Sequence, residues 1–197
     1  MRQSNCGNAR PRRANAAGRR SSPRRLAASV GFLPVARADA RTLVLGSLPG
    51  QMSLAQRQYY AQPRNAFWSI AGEIFGFDPA LQYEARLQAL VARRVALWDT
   101  CAAAVRPGSL DARIVRASVV PNDFASFLLA HPRIHRIGFN GAVSATLFDR
   151  LVLPGLPEAL QALPRVRLPS TSPAHAGMSR ARKLAAWREA LAPAADD

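Results

Sequence analysis

Apolar residues along this chain alternate between two periods. RTLVLG (41–46) is a short unbroken apolar run closed by glycine, the pattern of a strand buried on both faces. After a long polar loop, Phe67, Ile70, Ala71, Ile74 and Phe75 recur at i, i+3, i+4, i+7 and i+8. That spacing lays one apolar face along a helix, and Gly76 supplies its stop. A second helix around 79–92 leads into RVALWD (94–99), the next strand. Residues 100–120 follow no period, and PGS at 107–109 marks a turn. Asn122 or Asp123 can cap a short helix carrying Phe124, Phe127 and Leu128. RIHRIGF (133–139) predicts a third strand, AVSATLFDRLV (142–152) a helix behind it, and RVRLP (165–169) a fourth strand. A last helix from about Met178 buries Leu184, Trp187 and Leu191. Four short strands separated by helices predict an α/β three-layer sandwich around a central, mostly parallel four-stranded sheet.

Residues 1–30 stand outside this alternation. They are rich in Arg, Asn, Ser and Pro, bury too little to offset ordering entropy, and predict a disordered Arg-rich arm before a catalytic-sized domain over 31–197. The arm lacks the apolar core of a secretory signal, and no run of the chain approaches the ~20 residues that span a bilayer. Charge sharpens the picture. The formal net charge is +15; residues 1–40 hold nine Arg against Asp39, and the remainder holds 18 basic against 11 acidic residues. Both parts are basic, as expected of a surface that attracts polyanions by releasing their counterions, although a solvated Arg-rich surface would look the same. Cys6, Cys101 and three His have no metal-ligand spacing, so no zinc or iron–sulfur framework is expected, and incidental thiols suit a cytoplasmic protein. Lys183 is the sole lysine, set among arginines on a helical segment, which argues against chemistry through a lysine Schiff base.

In an open α/β sheet, ligands bind beyond the carboxyl ends of the strands. Those ends carry GSLPG (46–50) and YYAQPRNAFW (59–68), then WDTC (98–101), FNG (139–141) and LPSTSPAHAG (168–177). Each has an ordinary reading. GSLPG can be a plain turn, Asn65 a helix N-cap, Tyr59 and Tyr60 packed aromatics, Asn140 the first residue of an Asn-Gly turn, and the proline-rich loop merely stiff.

Taken in order, GSLPG, YYAQPRNAFW, LWDTC, PNDF, FNG and LPSTSPAHA resemble the hypoxanthine-DNA glycosylase branch of the uracil-DNA glycosylase superfamily. YAQPRNAFW is also similar to the matching loop of mismatch-specific uracil/thymine glycosylases. The resemblance spans roughly residues 31–191 and excludes the arm. It implies a uracil-DNA glycosylase-like fold and a monofunctional enzyme that hydrolyses the N-glycosidic bond of a flipped deaminated base, hypoxanthine first, in base excision repair. The mismatch-specific branch places a water-positioning Asn in the first motif, where this chain has Ser47; the hypoxanthine branch uses the Asn of N-x-F-W instead, which assigns the catalytic role to Asn65. Ser170 stands where better-known members carry His or Asn, which weakens the case for uracil. His175, further along that loop, is not assigned the missing role.

From these assignments Tyr60 is expected to stack on the base, Asn140 to bond its edge, and Gly46, Ser47 and Pro49 to complete the base pocket. Ser170, Thr171, Ser172, Pro173 and His175 are expected to form a DNA-binding loop, with Arg180 and Arg182 on phosphates. An amide is too weak a base to deprotonate water, so the bond to the base should break first and a positioned water capture the sugar cation. No metal or organic cofactor is expected. The partner is DNA bearing a deaminated base, met by a monomer away from any membrane. The competing readings are a mismatch-specific uracil/thymine glycosylase and a non-catalytic basic nucleic-acid-binding protein. A nucleotide-binding domain is disfavoured by the lack of a G-x-x-x-x-G-K-[ST] loop.

Overall fold

The computed structural model describes residues 27–192. In chain order its elements are β1 (Ser29–Val30), β2 (Thr42–Gly46), α1 (Gln51–Gln56), α2 (Phe67–Phe75), α3 (Tyr83–Ala92), β3 (Val95–Asp99), β4 (Cys101–Ala104), β5 (Val120–Pro121), α4 (Phe124–Ala130), β6 (Arg136–Asn140), α5 (Ala142–Leu151), α6 (Glu158–Gln161), β7 (Arg165–Leu168) and α7 (Arg180–Leu191). Four strands form one parallel sheet in the order β3-β2-β6-β7. This is the α/β sandwich that the apolar periods predict, with the first sheet strand in the interior and the chain crossing over to build each side.

Alternation along the strands divides the core. Leu43, Leu45, Ala96, Trp98, Ile137 and Phe139 face one layer, where Phe124, Phe127 and Leu128 of α4 and Ala145 and Phe148 of α5 cover them. Val44, Val95 and Leu97 face the other, against Phe67, Ile70, Ala71 and Phe75 of α2, Leu90 of α3, and Trp187 and Leu191 of α7. Phe67, Ile70 and Leu90 are at most 1% exposed. At roughly 1.5–3 kcal/mol for each such side chain, this burial fastens α2 and α3 to the sheet.

Helix boundaries follow local chemistry. Asp123, not Asn122, caps α4, its carboxylate accepting from the Ser126 amide at 3.0 Å, and interaction with the Ser126 hydroxyl first and its amide second holds the carboxyl below the ordinary value. Asn122 instead donates from Nδ2 to the Asp99 carbonyl at 2.8 Å. The helix expected from 79 begins only at Tyr83, because Asp78 Oδ1 accepts from the Ala80 amide and closes a turn over Pro79. Two elements depart from the expectation of irregular chain. The polar stretch after β2 contains α1, and the 100–120 segment contributes β4 and β5 to a small antiparallel sheet ordered β1-β4-β5. Positions 1–26 of the expected arm lie outside the described residues; its last two, Ser29 and Val30, pair with Ala104 and Ala103. No helix among the described residues is long and apolar enough to cross a membrane.

Candidate active site at the carboxyl ends of the strands

The loop after β2 is fixed by a single arginine. Arg106, 4% exposed, donates Nη1 to the Leu48 carbonyl at 3.0 Å and to Asp111 Oδ1 at 2.9 Å, and its other terminal nitrogen to the Pro49 carbonyl. The Gly46 carbonyl accepts from the Thr100 amide at 2.9 Å and from Ser144 Oγ at 2.8 Å, and the Ser47 carbonyl accepts from the Cys101 amide at 3.0 Å. The carbonyls of this turn are therefore spent on holding its shape. Ser47 and Pro49 are buried with it.

YYAQPRNAFW is bent by backbone strain. Tyr60 has φ +54°, a left-handed conformation that few residues with a side chain adopt. Tyr59 on one side is anchored. Its amide donates to the Tyr83 hydroxyl at 2.9 Å, its carbonyl accepts from Trp68 Nε1 at 3.0 Å, and its own hydroxyl donates to the Leu33 carbonyl. The turn sends the Tyr60 ring onto Phe67, stacked with centroids 3.9 Å apart, and its hydroxyl toward Gly46. Asn65 sits at the entrance to α2, and its Oδ1 accepts from the Phe67 amide at 3.0 Å. The helix-entry role and a chemical role are compatible, since a carbonyl oxygen carries a second lone pair. Tyr60 and Asn65 line one cleft of about 580 Å³, together with Gln62, Arg64, Trp68 and Arg180.

The last loop is pinned from three directions. Asn140, the final residue of β6, donates Nδ2 to Thr171 Oγ1 and accepts on Oδ1 from the Thr171 amide, both at 2.8 Å. The Ala66 amide donates to the Thr171 carbonyl at 3.0 Å, and Trp187 Nε1 to the Pro169 carbonyl at 2.9 Å. Gly141 is required next to Asn140: its φ is +103°, and a Cβ there would lie 3.1 Å from that of Ser170.

These bonds bear on three expectations. Thr171 is 1% exposed and cannot lie on DNA; it ties its loop to the sheet. Asn140 is no turn residue with a free carboxamide, because both its ends are engaged by Thr171. It lies near the Tyr60 hydroxyl, favouring that group's ionised form, without a well-formed hydrogen bond. Arg180 is engaged but stays exposed, Nε donating to Ser69 Oγ and a terminal nitrogen pairing with Glu73, which leaves its expected phosphate contact open. The rest of the loop is reachable: Ser170, Ser172 and Pro173 are half-buried, and His175 is exposed. Lys183, set among arginines in the sequence, is 5% exposed and donates to the Ser172 carbonyl at 3.4 Å; burial lowers its pKa.

The sequence pattern does not single out Arg106 or Asp99. Arg106 lies in the aperiodic segment, where only the RPGSLD turn hints at it. Asp99 ends β3 in WDTC, is 4% exposed, and leaves Oδ2 without a partner. Burial, with Asp111 nearby, pushes its carboxyl up to about 7. Burial also raises the Tyr60 phenol and lifts the Cys101 thiol to about 12, so both stay protonated. Among the described residues no three His, Cys, Asp or Glu side chains converge as a metal site would.

The chain is similar to known proteins. A hypoxanthine DNA glycosylase of Methanosarcina barkeri is 37% identical over 115 residues, covering 58% of this chain and 72% of that protein. A second, from Methanosarcina acetivorans, is 37% identical over 112 residues, covering 56% and 70%. The solution NMR structure of a uracil DNA glycosylase-like protein from Methanosarcina acetivorans superposes with a TM-score of 0.68 at 30% identity, across 83% of this chain and 98% of that one. No family model matches the chain.

Proposed function

The chain belongs to the hypoxanthine-DNA glycosylase branch of the uracil-DNA glycosylase superfamily and is a hydrolase of N-glycosyl bonds; from that premise we propose that it excises a deaminated base, hypoxanthine first, from DNA in base excision repair. The observation that carries this reading is the cleft shared by Tyr60 and Asn65, the two side chains that the resemblance assigns to the base and to the water.

A base inside a duplex is out of reach and must be extruded at a cost of a few kcal/mol, least for a damaged or mismatched pair. Phe67 takes one face of the Tyr60 ring, and the flipped base stacks on the other, an interaction worth roughly 1–3 kcal/mol. Asn65 Oδ1, already oriented by the Phe67 amide, accepts a hydrogen bond from a water on the sugar face away from the leaving base. Because the amide does not remove a proton from that water in advance, the glycosidic bond breaks first. The base departs with the electron pair of the broken bond and takes up a proton from solvent; the water adds to the sugar cation as it forms and releases one proton to solvent, keeping the other as the hydrogen of the new hydroxyl. The work of the protein is orientation and electrostatic preorganisation. Gly46, Ser47 and Pro49, expected in the base pocket, are buried in the turn after β2 and are not among the residues that line the cleft; Gly46 faces the Tyr60 hydroxyl. Ser170, Ser172, Pro173 and His175 meet the opened duplex, on a loop that Asn140 and Lys183 hold in place. Action as a monomer is part of this reading. A cytoplasmic, DNA-associated location goes with the substrate.

Uracil is the second candidate base, supported by the name of the structural relative and opposed by Ser47 and Ser170. The test is free base released from duplexes carrying deoxyinosine, deoxyuridine, deoxyxanthosine or thymine opposite guanine. Hypoxanthine is expected to be released fastest. Uracil or thymine released in its place makes this a mismatch enzyme, and equal binding of all duplexes with no base released makes it a non-catalytic DNA-binding protein.

A further inference from the structure

The cleft that Tyr60 and Asn65 share is lined by three arginines, Arg64, Arg86 and Arg180, and by no carboxylate. Arg64 is exposed to solvent, and Arg180 is paired with Glu73. Arg86, on α3, is different. Its Nε is buried without a hydrogen-bond partner, and no ion pair reaches its guanidinium among the described residues. Burial lowers its pKa against a smaller opposing pull from Tyr83 and Glu84, and a guanidinium so placed stays charged. Arg86 is nonetheless fixed in place. Its guanidinium carbon lies 4.7 Å from the Trp68 ring centre and 5.8 Å from that of Tyr83, and those two rings meet at 86°. Both walls of this corner are tied to the backbone of Tyr59. Trp68 Nε1 donates to its carbonyl at 3.0 Å, and its amide donates to the Tyr83 hydroxyl at 2.9 Å. The charge is thus fastened to the turn that presents Tyr60.

We propose that Arg86 binds a phosphodiester of the damaged strand beside the flipped nucleotide, and so holds the sugar where the Asn65 water can reach it. The inference rests on the glycosylase reading above and adds an anion subsite to that cleft. A ring beneath a guanidinium attracts the cation but accepts nothing from its N–H groups. Those groups lie in one plane at the edge of the stack, a fork that meets two phosphate oxygens side by side. A nucleotide cannot leave the duplex without its phosphates, for each is joined to the sugar by an ester bond. A cleft that admits the sugar therefore receives an anion, and this one offers a pre-placed cation with open donors. Gln56 and Gln58 line the same cleft and add neutral donors.

The experiment measures Kd, at several salt concentrations, for a duplex carrying 2′-fluorinated deoxyinosine, whose glycosidic bond resists cleavage. Wild type, Arg86→Gln and Arg86→Lys are compared, with thermal unfolding of each. The duplex is also made with an uncharged methylphosphonate in place of the 5′ or the 3′ phosphate of the lesion. Arg86→Gln should bind the charged duplex roughly tenfold more weakly. Its slope of log affinity against log salt should shallow by about 0.9, the mark of one lost phosphate contact. Neutralising one of the two phosphates should cost wild type roughly tenfold and Arg86→Gln less than about twofold, because that contact is already gone. Arg86→Lys keeps the charge without the planar fork. It should keep the wild-type slope, bind the charged duplex about threefold more weakly, and match wild type on the neutralised one. A merely structural Arg86 would lose affinity equally on every duplex. That result, a folded Arg86→Gln that binds as wild type does, or a wild type indifferent to both neutralisations overturns the inference. Should Arg86→Gln fail to fold, Arg86→Lys on the charged and neutralised duplexes decides. Base release from ordinary deoxyinosine duplex is followed alongside. Wild type that releases base while the phosphate comparison fails leaves the glycosylase reading intact, and wild type that releases none from any duplex overturns that reading whatever the affinities are.

Discussion

At the amino ends of the parallel strands, Arg136 donates to Thr42 Oγ1 at 2.7 Å and to the carbonyls of Leu191 and Ala192, and Arg93 donates to the Gly76 carbonyl at 3.0 Å. At the carboxyl ends, Asp99 and Tyr60 keep buried oxygens unpaired, while Arg106 and Asn140 hold the loops around them. Both rims are polar, and a depression of about 330 Å³ opens at the first. The contrast lies in what the polar groups are for. The arginines of the amino rim close the carboxyl-terminal ends of α2 and α7, where helix carbonyls lack partners and the dipole favours a cation. The carboxyl rim spends some polar groups on scaffolding and withholds others. Asp39 Oδ1 at the amino rim is also buried without a hydrogen bond, but it belongs to a carboxylate paired with Arg37 and Arg94, whereas no ion pair reaches Asp99 among the described residues.

Substitutions at the two rims sharpen that contrast. The largest effect is expected from Arg106→Ala, which strands Asp111 and two turn carbonyls; chemical denaturation should register a loss of about 3–5 kcal/mol, with excision falling alongside. Next comes pH. The Asp99 carboxyl is raised in the folded protein, so its contribution to stability is complete below about pH 4 and is lost as pH rises through about 7. Over that window the loss should amount to about 2–4 kcal/mol, seen as a falling denaturation midpoint that Asp99→Asn removes. Asn140→Ala breaks both bonds to Thr171 and should cost about 1–3 kcal/mol, loosening the last loop and weakening affinity for lesion DNA in a binding titration. Arg136→Ala, at the opposite rim, should cost about 1–2 kcal/mol of stability and leave the single-turnover excision rate unchanged. A comparable loss of excision from Arg136→Ala would erase the distinction between the rims.

The layered fold is legible in the sequence because long apolar runs and one clean helical period dominate it. The helix that the spacing of Phe67, Ile70, Ile74 and Phe75 predicts is the helix observed. The small antiparallel sheet is hidden, since CAAA carries none of the β-branched or aromatic residues that mark strands, and β1 and β5 are two residues each. α1 is too short for a period to show. In the site, Tyr60 and Asn65 are visible because they share one short segment. Asp99 is not, because its meaning depends on Gly46 and Tyr60, which are distant along the chain. Thr171 misleads for the converse reason: a hydroxyl in a proline-rich loop looks exposed, and only Asn140, from another strand, shows why it is buried.

The most direct test of the central claim is single-turnover cleavage of deoxyinosine duplex by Asn65→Ala. The variant should remain folded, losing about 1 kcal/mol with the bond to the Phe67 amide. It should bind lesion DNA as wild type does and excise the base at least roughly 10²-fold more slowly, because the water has lost its acceptor. A folded Asn65→Ala enzyme that cleaves at the wild-type rate would contradict the account.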